Sequence, residues 1–238
     1  STYRPFESSI PLGVKNVIIT RGTEIPVDYF KNYTSLESVT FPNTITKIGN
    51  DAFRNCNLLT EITIPENVTS IGTYAFSGCN ALTEVTIPNN VTTVDSFAFS
   101  DCAELATVNF PTSTTVSHDF KTFVFSRCPM LKNLTIPESV SSLGEGSFYM
   151  SGLETVIFSD GATTLSLGID LFHTCSNLTS VTLGNRVKTM PQSMFYACTS
   201  LTSFEIPNTV TSLGVKVFRK CSNLKTVTFA SGSTITTI

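Results

Sequence analysis

Seven cysteines, two histidines and a recurring set of glutamates are the residues in this 238-residue chain whose types could do chemistry. Cys56, Cys79, Cys102, Cys128, Cys175, Cys198 and Cys221 each stand three residues after a phenylalanine: Phe53, Phe76, Phe99, Phe125, Phe172, Phe195 and Phe218. An odd count in one repeated slot does not read as a disulfide framework. Neighbours in such a column would be near enough to bridge, but their side chains would run parallel rather than at one another. Zinc needs ligands that converge on one point, and a linear column does not converge. The cysteines read instead as small, buried, reduced thiols packed as hydrophobes. Ser151 takes the slot once, in a unit one residue short. A backbone group is expected to take its hydroxyl, or Met150 to fill the space.

His118 and His173 fall two to three units apart and on different parts of the repeat, so a shared hydrolytic or metal site does not follow. His173, next to Phe172, is expected on an outer turn. No phosphate-binding Gly-x-x-x-x-Gly-Lys loop, Gly-x-Ser-x-Gly elbow or His-Glu-x-x-His helix occurs. Glu37, Glu61 and Glu84 recur near one strand edge and could form an acidic strip. Paired carboxylates can do acid–base work, yet one per unit on an exposed sheet reads as a solvated face. No catalytic residue, cofactor or metal is assigned. A basic group, Lys216, Arg219, Lys220 and Lys225 with Arg186 and Lys188 upstream, reads as solubility decoration rather than a polyanion site. Five Asn-x-Ser/Thr sequons, at Asn32, Asn67, Asn90, Asn133 and Asn177, arise easily in a chain this rich in Asn and Thr.

The elements that would position these residues come from a repeat, seen most clearly in Leu59 to Ala81 (LTEITIPENVTSIGTYAFSGCNA). Units begin at Leu36, Leu59, Leu82, Leu105, Leu131, Leu153, Leu178, Leu201 and Leu224, with steps of 23, 23, 23, 26, 22, 25, 23 and 23 residues. A degenerate unit spans Val14 to Ser35. Residues 1–13 read as an N-terminal cap, and 14–238 as an array of about ten units, the last stopping part-way. Extra residues around Ser117–Phe123 and Asp160–Thr164 are expected in turns, where added length costs little. Each unit opens with a short alternating segment that predicts a half-buried strand. In Leu59–Pro65, Leu59, Ile62 and Ile64 point inward while Glu61 and Thr63 point out. Pro65 ends that strand. Val68 and Ile71 enter the core from a second extended piece, and Gly72 is expected to reverse the chain in a left-handed conformation. Ala75, Phe76 and Cys79 then form one helical or 3₁₀ turn.

Such units cannot close a core singly and must stack as a solenoid with one continuous core. A hydrophobic content of 41% against 14% charged supports ample burial rather than disorder. A net charge of −3 offers no long-range attraction to nucleic acid or anionic lipid. No apolar run reaches the roughly 18 residues a spanning helix needs. The first 30 residues lack a basic region followed by an apolar one, so no signal peptide is read. The opening Ser1 suggests a mature or trimmed form.

The pattern Leu-x-x-Ile-x-Ile-Pro-x-x-Val-x-x-Ile-Gly-x-x-Ala-Phe-x-x-Cys resembles the BspA-like (Treponema-type) leucine-rich repeats, over about Val14 to Ile238. It departs from that pattern at Asp95 and Pro191 (Gly positions), at Ser159, Gly184 and Ala230 (Pro positions) and at Ser151 (a Cys position). The fold class expected is an α/β repeat solenoid: a leucine-rich-repeat arc with a parallel β-sheet on the concave face and short helical or 3₁₀ turns and short strands elsewhere. The resemblance implies an extracellular or cell-surface protein of a microbe, acting in adhesion to host cells or matrix.

The outward strand positions form a polar ladder, Thr40, Thr63, Thr86, Asn109, Thr135, Ile157, Thr182, Glu205 and Thr228. Beside it run Ser38, Glu61, Glu84, Thr107, Asn133, Thr155, Ser180, Ser203 and Thr226. Threonine suits any solvated strand face; read functionally, the surface suits a protein or glycan partner. The candidate face comprises Glu37, Thr40, Glu61, Thr63, Glu84, Thr86, Asn109, Asn133, Thr135, Ile157, Thr182 and Glu205. Ile157 and the inserted turns (His118–Thr122, Ser159–Thr164) break its uniformity and are where specificity is expected. A non-enzymatic, monomeric binding module is the first reading. A structural spacer with no ligand of its own is the second.

Overall fold

The computed structural model describes residues 10–235. Most of the expected cap, residues 1–9, lies outside them. Eighteen short strands form, two per coil in most coils. In chain order they are β1 (Asn16–Ile18), β2 (Glu24–Ile25), β3 (Ser38–Thr40), β4 (Lys47–Ile48), β5 (Ser70–Ile71) and β6 (Glu84–Thr86). There follow β7 (Thr93–Val94), β8 (Thr107–Asn109), β9 (His118–Phe120), β10 (Asn133–Ile136), β11 (Val140–Leu143) and β12 (Thr155–Phe158). The last are β13 (Ser166–Leu167), β14 (Ser180–Thr182), β15 (Thr189–Met190), β16 (Ser203–Ile206), β17 (Ser212–Leu213) and β18 (Thr226–Phe229). Every pairing is parallel and joins one coil to the next, the arrangement of a right-through solenoid rather than a folded-back sheet.

The leucine, valine, isoleucine and phenylalanine of each coil fill one continuous core. Leu59, Val68, Ile71, Phe76 and Cys79 are all fully buried, and so are their counterparts in most other coils. Nine phenylalanines, Phe30, Phe53, Phe76, Phe99, Phe125, Phe148, Phe172, Phe195 and Phe218, stack as one column with centroid steps of 5.1 to 5.8 Å. Aromatic stacking at that spacing adds to the area term at each step.

Three expectations about the coil are corrected. The turn that carries each Phe and Cys is not helical, and no helix occurs among the described residues. Its backbone enters the left-handed region twice per coil, four residues apart, as at Asp51 and Asn55 (φ 54° and 60°) or Asp170 and Thr174 (56° and 61°). Helical hydrogen bonding cannot run through such residues. The freed amides bond to the next coil instead: Phe53 N–H to Ala75 O at 2.7 Å, Phe76 N–H to Ala98 O at 2.8 Å, Phe172 N–H to Met194 O at 2.9 Å.

Gly72 is not where the chain turns left-handed; that falls two residues later, at Tyr74 (φ 56°). Glycine is needed at 72 because the preceding coil passes so close that an added Cβ would lie 2.6 Å from Asn50 N and 2.7 Å from Gly49 C.

The first strand of each coil does not build one sheet. Its ladder is broken into β1–β3, β6–β8, β10–β12–β14 and β16–β18, while the second ladder runs unbroken through seven strands from β2 to β13. Residues 59–64 keep the alternation of buried and exposed side chains but join no ladder. Coil-to-coil bonds on the turn side and in the second ladder hold the stack where the first ladder opens.

Candidate functional site

All the outward positions of the first strands are exposed or half-exposed, as their alternation with buried neighbours requires. Thr40, Thr63, Thr86, Asn109, Thr135, Thr182 and Glu205 are exposed, and Ile157 shows 48% of its surface. The ladder β10–β12–β14 sets Thr135, Ile157 and Thr182 side by side. Asn109 Nδ2 donates to Glu84 Oε1 at 2.6 Å and Thr86 Oγ1 at 3.1 Å. Thr155 Oγ1 donates to Asn133 Oδ1 at 2.6 Å. Thr40, Glu61 and Thr63 line a shallow cleft of about 320 Å³. Asn109, Asn133 and Thr135 line another of about 690 Å³.

The acidic strip does not form as one row. Glu61 and Glu84 occupy the column of Ser38, whereas Glu37 lies one position earlier, half-buried, and pairs with Lys15 Nζ at 2.8 Å. Nor does the basic group stay on the surface as a unit. Arg186 is 2% exposed, with Nε donating to Thr163 O at 2.9 Å, Nη1 to Pro137 O at 3.0 Å and Nη2 to Val140 O. Burial lowers its pKa, and nearby Glu138 opposes that. This side chain staples the loop at 159–164 to the turn at 137–140.

That loop lies in irregular chain between β12 and β13, as expected. The other insert is displaced: His118–Phe120 is strand β9, and the extra residues fall at 112–117. The alternation His118-Asp119-Phe120 continues the second ladder, a signal present in the sequence. His118 is buried, its ring nitrogens 2.6 Å from Val91 O and 3.1 Å from Ser113 O, so it anchors the insert to the coil before it. His173 sits on the outer turn, half-buried. The two histidines therefore have separate surroundings, and no group of three or more potential metal ligands gathers among the described residues.

The cysteines are free and form a column, all but Cys221 fully buried. Each thiol also makes a hydrogen bond: Cys56 Sγ donates to Phe30 O at 3.1 Å, Cys102 to Phe76 O at 3.3 Å, Cys175 to Phe148 O at 3.0 Å. The slot thus asks for a small apolar atom that can still donate, a narrower demand than packing alone. Burial pushes the thiols of Cys56, Cys128 and Cys175 up to about 12, where they are protonated and unreactive at neutral pH. Ser151 meets the demand differently from either expectation. It is buried, its hydroxyl 3.3 Å from Cys175 Sγ, while Met150 is 46% exposed and fills nothing.

A second row of rings was missed in the sequence. On the turn side Tyr74, Phe97, Phe123, Tyr149, His173 and Tyr196 contact in succession, at 4.8, 5.1, 5.8, 5.1 and 4.4 Å. Arg54 covers the ring of Tyr74 at 4.5 Å, and Lys220 Nζ lies 5.2 Å from that of Tyr196. The signal lay beside the core phenylalanines: an aromatic two residues before Phe76, Phe99 and Phe125, then directly after Phe148 and Phe195.

Coils with two parallel ladders, a phenylalanine column and a polar outward face define a leucine-rich-repeat solenoid. The family described as "BspA type Leucine rich repeat region (6 copies)" matches residues 23–120 and 118–238. The chain belongs to that family. A leucine-rich repeat protein of Bacteroides ovatus has a similar crystal structure: TM-score 0.73, 25% identity, 96% of this chain and 65% of that one. The T. pallidum leucine-rich repeat protein superposes with TM-score 0.55 at 25% identity over 87% of this chain and 82% of its own. The pneumococcal vaccine antigen PcpA shares the fold at 19% identity, TM-score 0.51, over 92% of this chain and 72% of its own. This chain spans 65% of the Bacteroides protein's length. No curated protein matches it. No helix among the described residues is long and apolar enough to cross a membrane.

Proposed function

We propose that this chain is a non-enzymatic binding module that engages a protein partner through its first-strand face, as part of a microbial surface or secreted protein. One observation carries the reading. The outward rows from Thr40 to Glu205 present polar side chains over the length of the stack, exposed at Thr40, Thr63, Thr86, Asn109, Thr135, Thr182 and Glu205, with side-chain bonds between coils at Asn109 and Asn133. Membership of a bacterial leucine-rich-repeat family supports it. Cleft-lining Glu61 and Glu84 in the next coil are exposed charged groups on the N-terminal half of that face.

The test is capture of purified host matrix proteins on the immobilised chain, compared with the double variant Glu61→Lys, Glu84→Lys. The reading expects capture that falls at least about tenfold in the variant, the equivalent of roughly 1.4 kcal/mol. Unchanged capture would move the site to the insert loops at 112–117 and 159–164. Absence of capture by either protein would favour the spacer.

A further inference from the structure

Between β8 and β10 the first ladder stops, and the opening is the cleft of about 690 Å³, roughly twice the volume of the one beside Thr63. We propose that this gap docks an extended polypeptide segment of a protein partner, whose main chain pairs with the two strand edges that face each other across it. The proposal rests on the protein-binding reading above and gives it a place and a chemistry.

The main chain supplies the first argument. Thr107 N–H bonds Thr83 O at 3.2 Å and Asn109 O accepts from Ile87 N–H at 2.9 Å, so alternate groups of β8 are used on the β6 side. Successive peptide groups of a strand face opposite sides, which directs the N–H and C=O of Val108 into the gap. On the far side Lys132 O accepts from Thr155 N–H at 3.2 Å and Ile136 O from Ser159 N–H at 2.9 Å, both toward β12. That leaves the peptide groups of Asn133 and Thr135 facing Val108. Two edges with alternating donors and acceptors match another extended main chain more closely than they match a sugar or a helix.

Side chains leave the space clear. Asn109 is drawn toward β6 by Glu84 and Thr86, and Asn133 toward β12 by Thr155. Lys132 on the rim is engaged with Glu154 at 3.2 Å. Val108 is half-buried, as are Val17 and Val181 at the same position, whereas Val85, Leu134 and Val156 are 1%, 5% and 1% exposed. With Met130, 43% exposed on the rim, it offers apolar contact to alternate side chains of an incoming strand. The gap is also bounded. Ser139 Oγ bonds Pro111 O just past the strands, and on the turn side Phe99 and Phe125 remain stacked at 5.7 Å. It is a bounded slot, and among the openings of the first ladder it is the one with the cleft of about 690 Å³.

The test pans a phage library of random linear peptides against the whole chain and follows the enriched peptides by residue-resolved amide exchange. The expected result is peptides of alternating apolar character that slow exchange at Val108, Asn133 and Thr135. Val108→Pro, which deletes one edge donor, should weaken them about tenfold, the scale of one main-chain hydrogen bond. If that variant does not fold, exchange on the unaltered chain decides alone. Peptides that protect none of these amides but are lost in the Glu61→Lys, Glu84→Lys variant would overturn the slot and leave the broader binding reading standing. Failure to enrich any peptide would also overturn it, while matrix capture tests the broader reading separately.

Discussion

Each cysteine in the column answers to the carbonyl of the phenylalanine one coil below. Cys102→Ala would remove both the sulfur and the donor to Phe76 O. The expected cost is about 1–3 kcal/mol, read as a lower urea midpoint with unchanged slope. The same thiols set an alkaline limit. Burial holds Cys128 and Cys175 near 12 against an ordinary 9.0, so the folded chain keeps protons that the unfolded chain releases. Their stabilisation is whole below about pH 9 and is lost as pH rises toward 12. Thermal midpoints recorded across that window should fall less steeply for the Cys128→Ala, Cys175→Ala double variant than for the unaltered chain. Gly72→Ala tests the close approach of coils: a Cβ 2.6 Å from Asn50 N must displace backbone. About 1–3 kcal/mol should be lost. The sequence marked both residue types as recurrent. It could not say that the thiol donates, or that Gly72 answers to a neighbouring coil, because each partner lies about one repeat away.

Among the elements, the strand alternation from Leu36 onward was legible and the strand pairing was not. Residues 59–64 carry the clearest pattern in the chain and still join no ladder, because pairing depends on how far the next coil stands off. The turn was misread for a related reason. Ala75, Phe76 and Cys79 have helical spacing, but the conformation is decided by left-handed residues such as Tyr74 and Gly78, whose amides bond to the next coil. Arg186 shows the limit for charged residues: in sequence it belongs with Lys188, in space it closes the 159–164 loop. Arg186→Met should take the guanidinium donor from the carbonyl oxygens of Thr163, Pro137 and Val140, of which Pro137 O keeps Val140 N–H. A loss of about 3 kcal/mol is expected, with faster amide exchange at Gly161 and Ala162. Unaltered exchange there would remove the arginine as the staple.

At the scale of the whole molecule, the stack behaves as a one-dimensional array whose stability is a sum of coils and interfaces. A deletion in the middle of the phenylalanine column therefore weakens contacts on both sides, and one at its end weakens fewer. Phe125→Ala is expected to cost about 3–5 kcal/mol. Phe218→Ala should cost clearly less, since Phe218 is half-buried at the end of the column. Equal shifts in denaturant midpoint would contradict this. The sequence by itself determined the period, the inward and outward sets, the core phenylalanine column and the family, because those follow from residue type at fixed spacing. Only the tertiary structure decided which edges pair, where the first ladder opens and which charges are buried. These depend on the distance between coils, and that distance is set by the packing of the stack as a whole.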